Sequence, residues 1–428
     1  MKELLKKLIA EGWDSLPAYV SRNRIPPALA SSNSSIVIIG PRRAGKSYTA
    51  YEIKDRFLKK PDQTRDFIYL NFEDERLSGF KSTDFRLILD AYHELRDGKP
   101  MLILDEIHLV DGWDKFARRL ADSGHKVVAS GSNSKMLSRE IAGTLGGRFS
   151  EAPIFPLNFS EFLKFRKIAP GKEHLYSKER FRLMKEFDIY LNYGGFPQMA
   201  PFTDEESRRR SLETYFNLVF YKDVIARHKL ENEQALRFII VKMRENVGQA
   251  ATSRSVYSAM LEAGIAAGPN TVEKYLDYLE EAFLLVPCPP FVKSAVRQER
   301  RKRYFVDNGY IKLLEVKEDA GKLLENQIFM ELVKEGRKVW YHRDRGECDF
   351  ITDLGEAIQV THELAGHNRR REFDGLKEAM DACKLKSGVI VTYGQEEQID
   401  LEGIPVKVIP AWKWCLERRS LPALSTKG

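Results

Sequence analysis

The stretch Gly40-Pro41-Arg42-Arg43-Ala44-Gly45-Lys46-Ser47 follows the apolar run from Ser35 to Ile39 and leads into a helical pattern that begins near Lys46. No other feature restricts the fold as much. A strand that ends in a glycine-rich turn and re-enters as a helix aims successive backbone N–H groups, and a positive helix terminus, at one point that suits a phosphate chain. In the pattern GxxxxGK[ST], Lys46 is expected to reach the outer phosphates and Ser47 to place its hydroxyl on Mg²⁺. Pro41, Arg42, Arg43 and Ala44 form the turn, and Tyr48 lies in the first helical turn. The competing reading is a chance strand, turn and helix.

A phosphate cradle needs a metal-organising carboxylate and a group that orients water. The apolar run from Met101 to Leu104 reads as a central strand ending in Asp105 and Glu106. Carboxylates at the carboxyl end of a parallel strand face the crevice where ligands bind. Asp105 is expected to hold the Mg²⁺ shell with Ser47, and Glu106 to polarise the attacking water. The alternative is a surface pair capping the next turn. Further strands at 67–73 and 125–132 alternate with helical stretches at 84–96 and 113–122. That order implies a parallel sheet with right-handed crossovers. Ser130 or Asn133, at the end of the later strand, would sense the outermost phosphate, unless the segment is a plain polar turn. Arg148, after two glycines, suits an arginine finger towards a neighbouring subunit's nucleotide, with a structural salt bridge as the competing view.

Together IGPRRAGKS, LILDEIH, SGSNSKML, GGRF followed by PLNFSEF, and YLNYGGFP resemble the archaeal and bacterial AAA-type ATPases that carry a helical lid and a restriction-endonuclease-like C-terminal region. The resemblance runs over most of the chain, and its nucleotide motifs are its most specific part. It implies an α/β P-loop core of the additional-strand class, with ATP and Mg²⁺ as nucleotide and metal. The expected division is a P-loop core over 1–158, a helical lid over 159–230, a winged-helix domain over 231–312 and a PD-(D/E)xK-like α/β domain over 313–428.

The 428 residues leave room for two to four domains, and an apolar fraction of 43% suits a soluble globular protein. No apolar run approaches the roughly 18 residues of a spanning helix. Four scattered cysteines, with no CxxC pair, indicate neither a zinc site nor a disulfide framework, so a reducing cytoplasm is expected. Leu4, Leu5, Leu8 and Ile9 share a helical face that should pack on the body. Lys plus Arg exceed Asp plus Glu by only 69 − 62 = 7, which alone does not argue for nucleic acid.

In the middle, Gly194 and Gly195 end a helical stretch and are expected to act as a lid hinge. Three helices near 235–245, 254–262 and 270–284 precede a hairpin. The third shows an apolar stripe of Val272, Leu276, Leu279 and Phe283, with Glu273, Asp277, Glu280 and Glu281 expected outward. Basic density lies instead in the hairpin, at Lys293, Arg297, Arg300, Arg301, Lys302 and Arg303. This wing would grip nucleic-acid phosphates without reading sequence, or else be a protein-docking or solvated surface.

In nucleases of the PD-(D/E)xK type, a helix acid, a strand Asp and an E-x-K on the next strand bind Mg²⁺ and activate water. Laid on this chain, Glu325 and Asp349 match, while Gln359 replaces the acid and Thr361 the lysine. Thr361 cannot supply the cation, so a nuclease-like domain that does not cut is expected. The resulting function is an ATP-hydrolysing molecular switch or remodeller acting on nucleic acid or a protein partner, assembled as a homo-oligomer if Arg148 acts across subunits. The rivals are an ATP-dependent nuclease and a non-catalytic adaptor that binds ATP for stability.

Overall fold

The computed structural model describes residues 1–418 apart from 15, 134–142, 172–177, 292–299, 316, 318, 386 and 402. The chain divides into two compact units, Met1–Phe155 and Pro156–Ser420.

In the first unit the short apolar runs form β1 (Ser35–Ile39), β2 (Phe67–Asn71), β3 (Met101–Asp105), β4 (Val127–Gly131) and β5 (Phe149–Pro153). Their order in the sheet is β2-β3-β4-β1-β5. All neighbours are parallel. Every residue of β1, β3 and β4 is buried, as expected of parallel strands covered on both faces. One strand, β4, stands between the phosphate-loop strand and the strand of the acid pair. All five carboxyl ends share one edge, so Gly40 and Asp105 open onto the same crevice. Helix α1 (Lys2–Asp14) buries Leu5, Leu8 and Ile9, packing on β2 and the helix Arg86–His93, as its apolar face foretold.

The second unit begins with the helices Phe159–Phe165, Lys178–Tyr193 and Glu205–Asn217. The glycines expected as a hinge are pinned. A Cβ on Gly194 would lie 1.5 Å from Asp307 Oδ1, and one on Gly195 2.3 Å from the Leu157 carbonyl oxygen. The Gly195 N–H also donates to Asp307 Oδ2 at 2.8 Å. Close approach, and not mobility, is what requires glycine here.

Helices α2 (Glu233–Glu245), α3 (Ser253–Glu262) and α4 (Pro269–Glu281) follow, then the antiparallel pair β6 (Leu285–Cys288) and β7 (Lys302–Phe305). Val272, Leu276 and Leu279 line the buried side of α4 as expected, while Phe283 lies beyond its end with φ 55°. Glu280, expected outward, is 9% exposed.

Helix α5 (Ala320–Lys334) leads into β8 (Val339–Arg343), β9 (Glu347–Thr352) and β10 (Ala357–Val360), then α6 (Arg369–Cys383), β11 (Gly388–Thr392), β12 (Glu397–Leu401) and β13 (Ile404–Pro410). The sheet order is β12-β13-β11-β10-β9-β8. β8, β9 and β10 pair antiparallel, β10, β11 and β13 parallel, and β12 antiparallel on β13. The turn between β9 and β10 carries Gly355 at φ 74°, so Asp349 and Gln359 come to adjacent strands, as the sequence implied.

Candidate functional site

The loop after β1 is built for close approach. Gly40 has φ 150°, and a Cβ there would meet the Ile154 carbonyl oxygen at 1.9 Å. Gly45 has φ 96° and begins the helix Lys46–Phe57 with no side-chain cap. That leaves the first N–H groups of the helix open to an anion. Arg43 takes the left-handed conformation at φ 63° without being glycine, a strain that such loops store. Arg22 braces the loop from outside, donating to the Ala44 carbonyl at 2.7 Å and the Phe155 carbonyl at 2.9 Å.

Lys46 is 5% exposed. Its amine donates to the carbonyls of Gly40 and Pro41, both at 3.2 Å, and lies 3.2 Å from Glu106 Oε1. Ser47 Oγ donates to Asp105 Oδ2 at 2.6 Å, and the Tyr69 hydroxyl reaches the same oxygen at 3.2 Å. Ser130 donates its hydroxyl to Asp105 Oδ1 and accepts the Glu106 N–H at 3.1 Å. The Ser132 N–H donates to Glu106 Oε2 at 3.1 Å, with His108 Nδ1 3.4 Å from that oxygen. Lys46, Ser47, Asp105, Glu106 and Ser130 are therefore one connected network. Asn133 is buried just after β4.

Burial and the adjacent Glu106 push Asp105 above the usual carboxylate range. Burial works against ionisation of Glu106 as well, but Lys46, His108 and Arg42 outweigh it and hold that carboxyl down to about 2. Lys46 thus favours the anionic form of Glu106, the state a water-orienting base requires.

Arg148 directly precedes β5, whose Phe149 is level with Ser35 at the start of β1. It therefore sits at the edge of the sheet opposite its own phosphate loop. There its guanidinium, 40% exposed, pairs with Asp122. The salt bridge that competed with the finger reading is thus present. Sequence reasoning passed over Tyr69, Glu73 and His108. The register of β2 on β3, which sets Asn71 beside Asp105, was the signal for the first two.

In the second unit, a cleft of about 1220 Å³ contains all four nuclease-like positions, Glu325, Asp349, Gln359 and Thr361. Asp349 Oδ2 accepts the Val360 N–H at 2.8 Å. Both ends of the Gln359 amide are committed: Oε1 accepts the Asp349 N–H at 3.2 Å, and Nε2 donates to Glu372 Oε2 at 2.6 Å. Thr361 donates to the Glu363 carbonyl at 3.0 Å. A buried cation from β7 faces these acids. Lys302, 1% exposed, places its ammonium 2.6 Å from Glu347 Oε1, 3.4 Å from Glu325 Oε1 and 3.6 Å from Asp349 Oδ1. Burial disfavours its charge, but Glu325, Asp349 and Glu347 together raise its pKa. Burial, then Glu325, push Asp349 well above the usual range.

This corrects the expectation for Lys302 and Arg303, which are not open to a partner. All four residues of β7 are buried, because helices α2 and α5 both pack on this strand. Lys302 is consumed by the acid cluster, and Arg303 binds Glu280 at 2.8 Å and the Ala251 carbonyl at 3.2 Å. Arg301 shares Glu280 at 3.1 Å. Arg300 is exposed, while Lys293 and Arg297 lie outside the described residues. Among the described residues no helix is long and apolar enough to cross a membrane.

A family model described as an AAA domain matches residues 32–163, and one described as a domain of unknown function (DUF8612) matches residues 184–320. The uncharacterized protein MJ1544 of Methanocaldococcus jannaschii is 33% identical over 90% of this chain and 88% of its own length. An uncharacterized protein of Haemophilus influenzae is 30% identical over 88% of this chain and 93% of its own. Among solved structures, the Walker-type ATPase PABY2304 of Pyrococcus abyssi is similar with a TM-score of 0.40 and 14% identity, over 73% of this chain and 95% of that one.

Proposed function

We propose, because this chain belongs to the family of AAA-domain P-loop proteins, that it is an ATP-hydrolysing molecular switch or remodeller. The observation that carries this reading is the network in which Ser47 meets Asp105 at 2.6 Å and Lys46 meets Glu106 at 3.2 Å, at the mouth of a loop that only glycine can shape. The residues fit the nucleotide and its metal: a loop whose tight approach a Cβ would block, an uncapped helix start, a hydroxyl and a carboxylate already in contact. Bound Mg²⁺ would neutralise charge on the phosphates. Ser47 and Asp105 would hold it, Lys46 would bind the outer phosphates, and Glu106 would orient water. Ser130 ties the acid pair together and is the better placed of the two sensor candidates, ahead of Asn133. Arg148, remote from its own loop, suits a nucleotide held by a second copy of the chain.

For the second unit we propose a helical lid over 159–230, a winged helix over 231–312, and a nuclease-like domain over 313–428 that does not cut. The three helices and hairpin, and the helix-then-sheet order after residue 320, support these assignments. One observation favours the rival ATP-dependent nuclease: Lys302 brings to Asp349 the cation absent from Thr361. Against it, no group of three or more His, Cys, Asp or Glu among the described residues is arranged to hold a metal ion. With Lys302 and Arg303 buried, the wing favours a protein partner over a nucleic-acid backbone. The test is phosphate release from Mg-ATP by the wild type and by Glu106→Gln. Release by the first and not the second supports the reading, and equal rates would reject it.

A further inference from the structure

Two cations stand at the mouth of the loop, and each is held by a carboxylate at the carboxyl edge of the sheet. Lys46 is held by Glu106. Arg42, in the middle of the loop and 11% exposed in its side chain, places Nη1 2.5 Å from Glu73 Oε1. Glu73 is fixed in turn: its N–H donates to Asn71 Oδ1 at 3.0 Å, and the preceding Phe72 N–H donates to the Asp105 carbonyl at 2.9 Å. Arg42 therefore points to the side of the loop where Asp105 and Glu106 stand, the side at which water and metal act on the outermost phosphate.

A magnesium triphosphate carries a net charge of about −2, which one lysine does not balance. Arg42 would supply a second positive charge beside Lys46. A planar guanidinium also matches the oxygens of a phosphate in a two-pronged geometry.

We propose that Arg42 is a second phosphate-binding cation acting within its own chain, which exchanges Glu73 for the outermost phosphate of a nucleoside triphosphate. Glu73 is then the group that sets the cost of that exchange, and its release is felt at the end of β2. A diphosphate lacks the outermost phosphate and leaves the pair with Glu73 intact. The assignment rests on the ATPase reading, so its test must separate the two.

The full-length chain is titrated with ATP and with ADP in the presence of Mg²⁺, as wild type, Arg42→Ala, Arg42→Lys and Glu73→Gln, with phosphate release measured in parallel. Nucleotide binding and hydrolysis by the wild type test the ATPase reading, and failure of both would overturn that reading and this one. Given wild-type binding, Arg42→Ala is expected to lower the ratio of ATP to ADP affinity by about tenfold and turnover by about 100-fold or more. Arg42→Lys should fall between, since it keeps the charge without the fork. Glu73→Gln keeps the shape and removes the competing charge, so it should tighten ATP by about threefold and leave ADP within about twofold. It also guards against a folding defect in the Arg42 variants. An unchanged affinity ratio in Arg42→Ala, or weaker ATP binding in Glu73→Gln, would show that the pair is structural and overturn the assignment.

Discussion

Replacing Lys302 with methionine keeps most of the side-chain volume and removes one buried positive charge. The ammonium faces Glu325, Glu347 and Asp349, whose side chains are 16%, 34% and 10% exposed. Glu347 is open enough to turn into water when its partner disappears, whereas Glu325 and Asp349 are not. Breaking a buried ion pair from one side costs about 3–5 kcal/mol, and the escape of Glu347 puts this case near the lower end. For a unit of this size about 3 kcal/mol corresponds to a melting shift of about 6–12 °C. The pH dependence carries a sign. Asp349 already has a raised folded pKa, and losing Lys302 raises it further. A group of this kind favours the folded state fully below its unfolded pKa, and that favour is lost as pH rises through the folded value. The variant should therefore lag the wild type most near pH 8 and recover part of the gap near pH 5. Adding Asp349→Asn, which keeps an acceptor for the Val360 N–H, should restore at least half the loss at pH 8. Thermal melts followed by circular dichroism would decide. A Lys302→Met variant that melts within about 1 °C of the wild type, or trails it equally at both pH values, refutes the counter-charge argument.

Glu106→Gln should lower phosphate release by about 100-fold or more while retaining ATP affinity, measured by single-turnover hydrolysis and calorimetry. Gly40→Ala should abolish nucleotide binding, because its methyl group would collide with the Ile154 carbonyl; calorimetry reads the loss. Asp307 is pushed up to about 6 by burial, against the pull of Lys334 and of two backbone N–H bonds. Its contribution to stability is complete below about pH 4 and disappears as pH rises through about 6, so the melting temperature should decline over that window, and Asp307→Asn should flatten the decline. Labelled DNA or RNA incubated with the wild type and Mg²⁺ or Mn²⁺ should stay intact; robust cleavage lost in Asp349→Ala would restore the nuclease reading.

The first unit was legible because its signals are local. An apolar run of five residues buried on both faces, a glycine that no other residue can replace, and an acid pair directly after a strand all announce themselves within one segment. Ser130 was reachable by the same logic, since it closes β4 beside the acid pair. Glu73 was harder, because it belongs to the site only through the register of β2 on β3. The charges of the second unit misled for a related reason. A run such as Arg300 to Arg303 reads as a solvated surface until α2 and α5 are laid over β7, and no local pattern announces that Glu280 and Glu325 will meet it. Thr361 was compared with a lysine because the motif puts that cation on the same strand. The buried ammonium that faces Asp349 belongs to Lys302, 59 residues earlier (361 − 302).

Lys302 lies on one side of the boundary at residue 312 that sequence reasoning would choose for dividing the chain, and the carboxylates it serves lie on the other. A truncation ending there would leave the longer fragment with an orphaned ammonium and the shorter one with unbalanced acids. Recombination during evolution, or dissection at the bench, keeps this cluster whole only if residues 302 to 349 stay on the same piece of polypeptide.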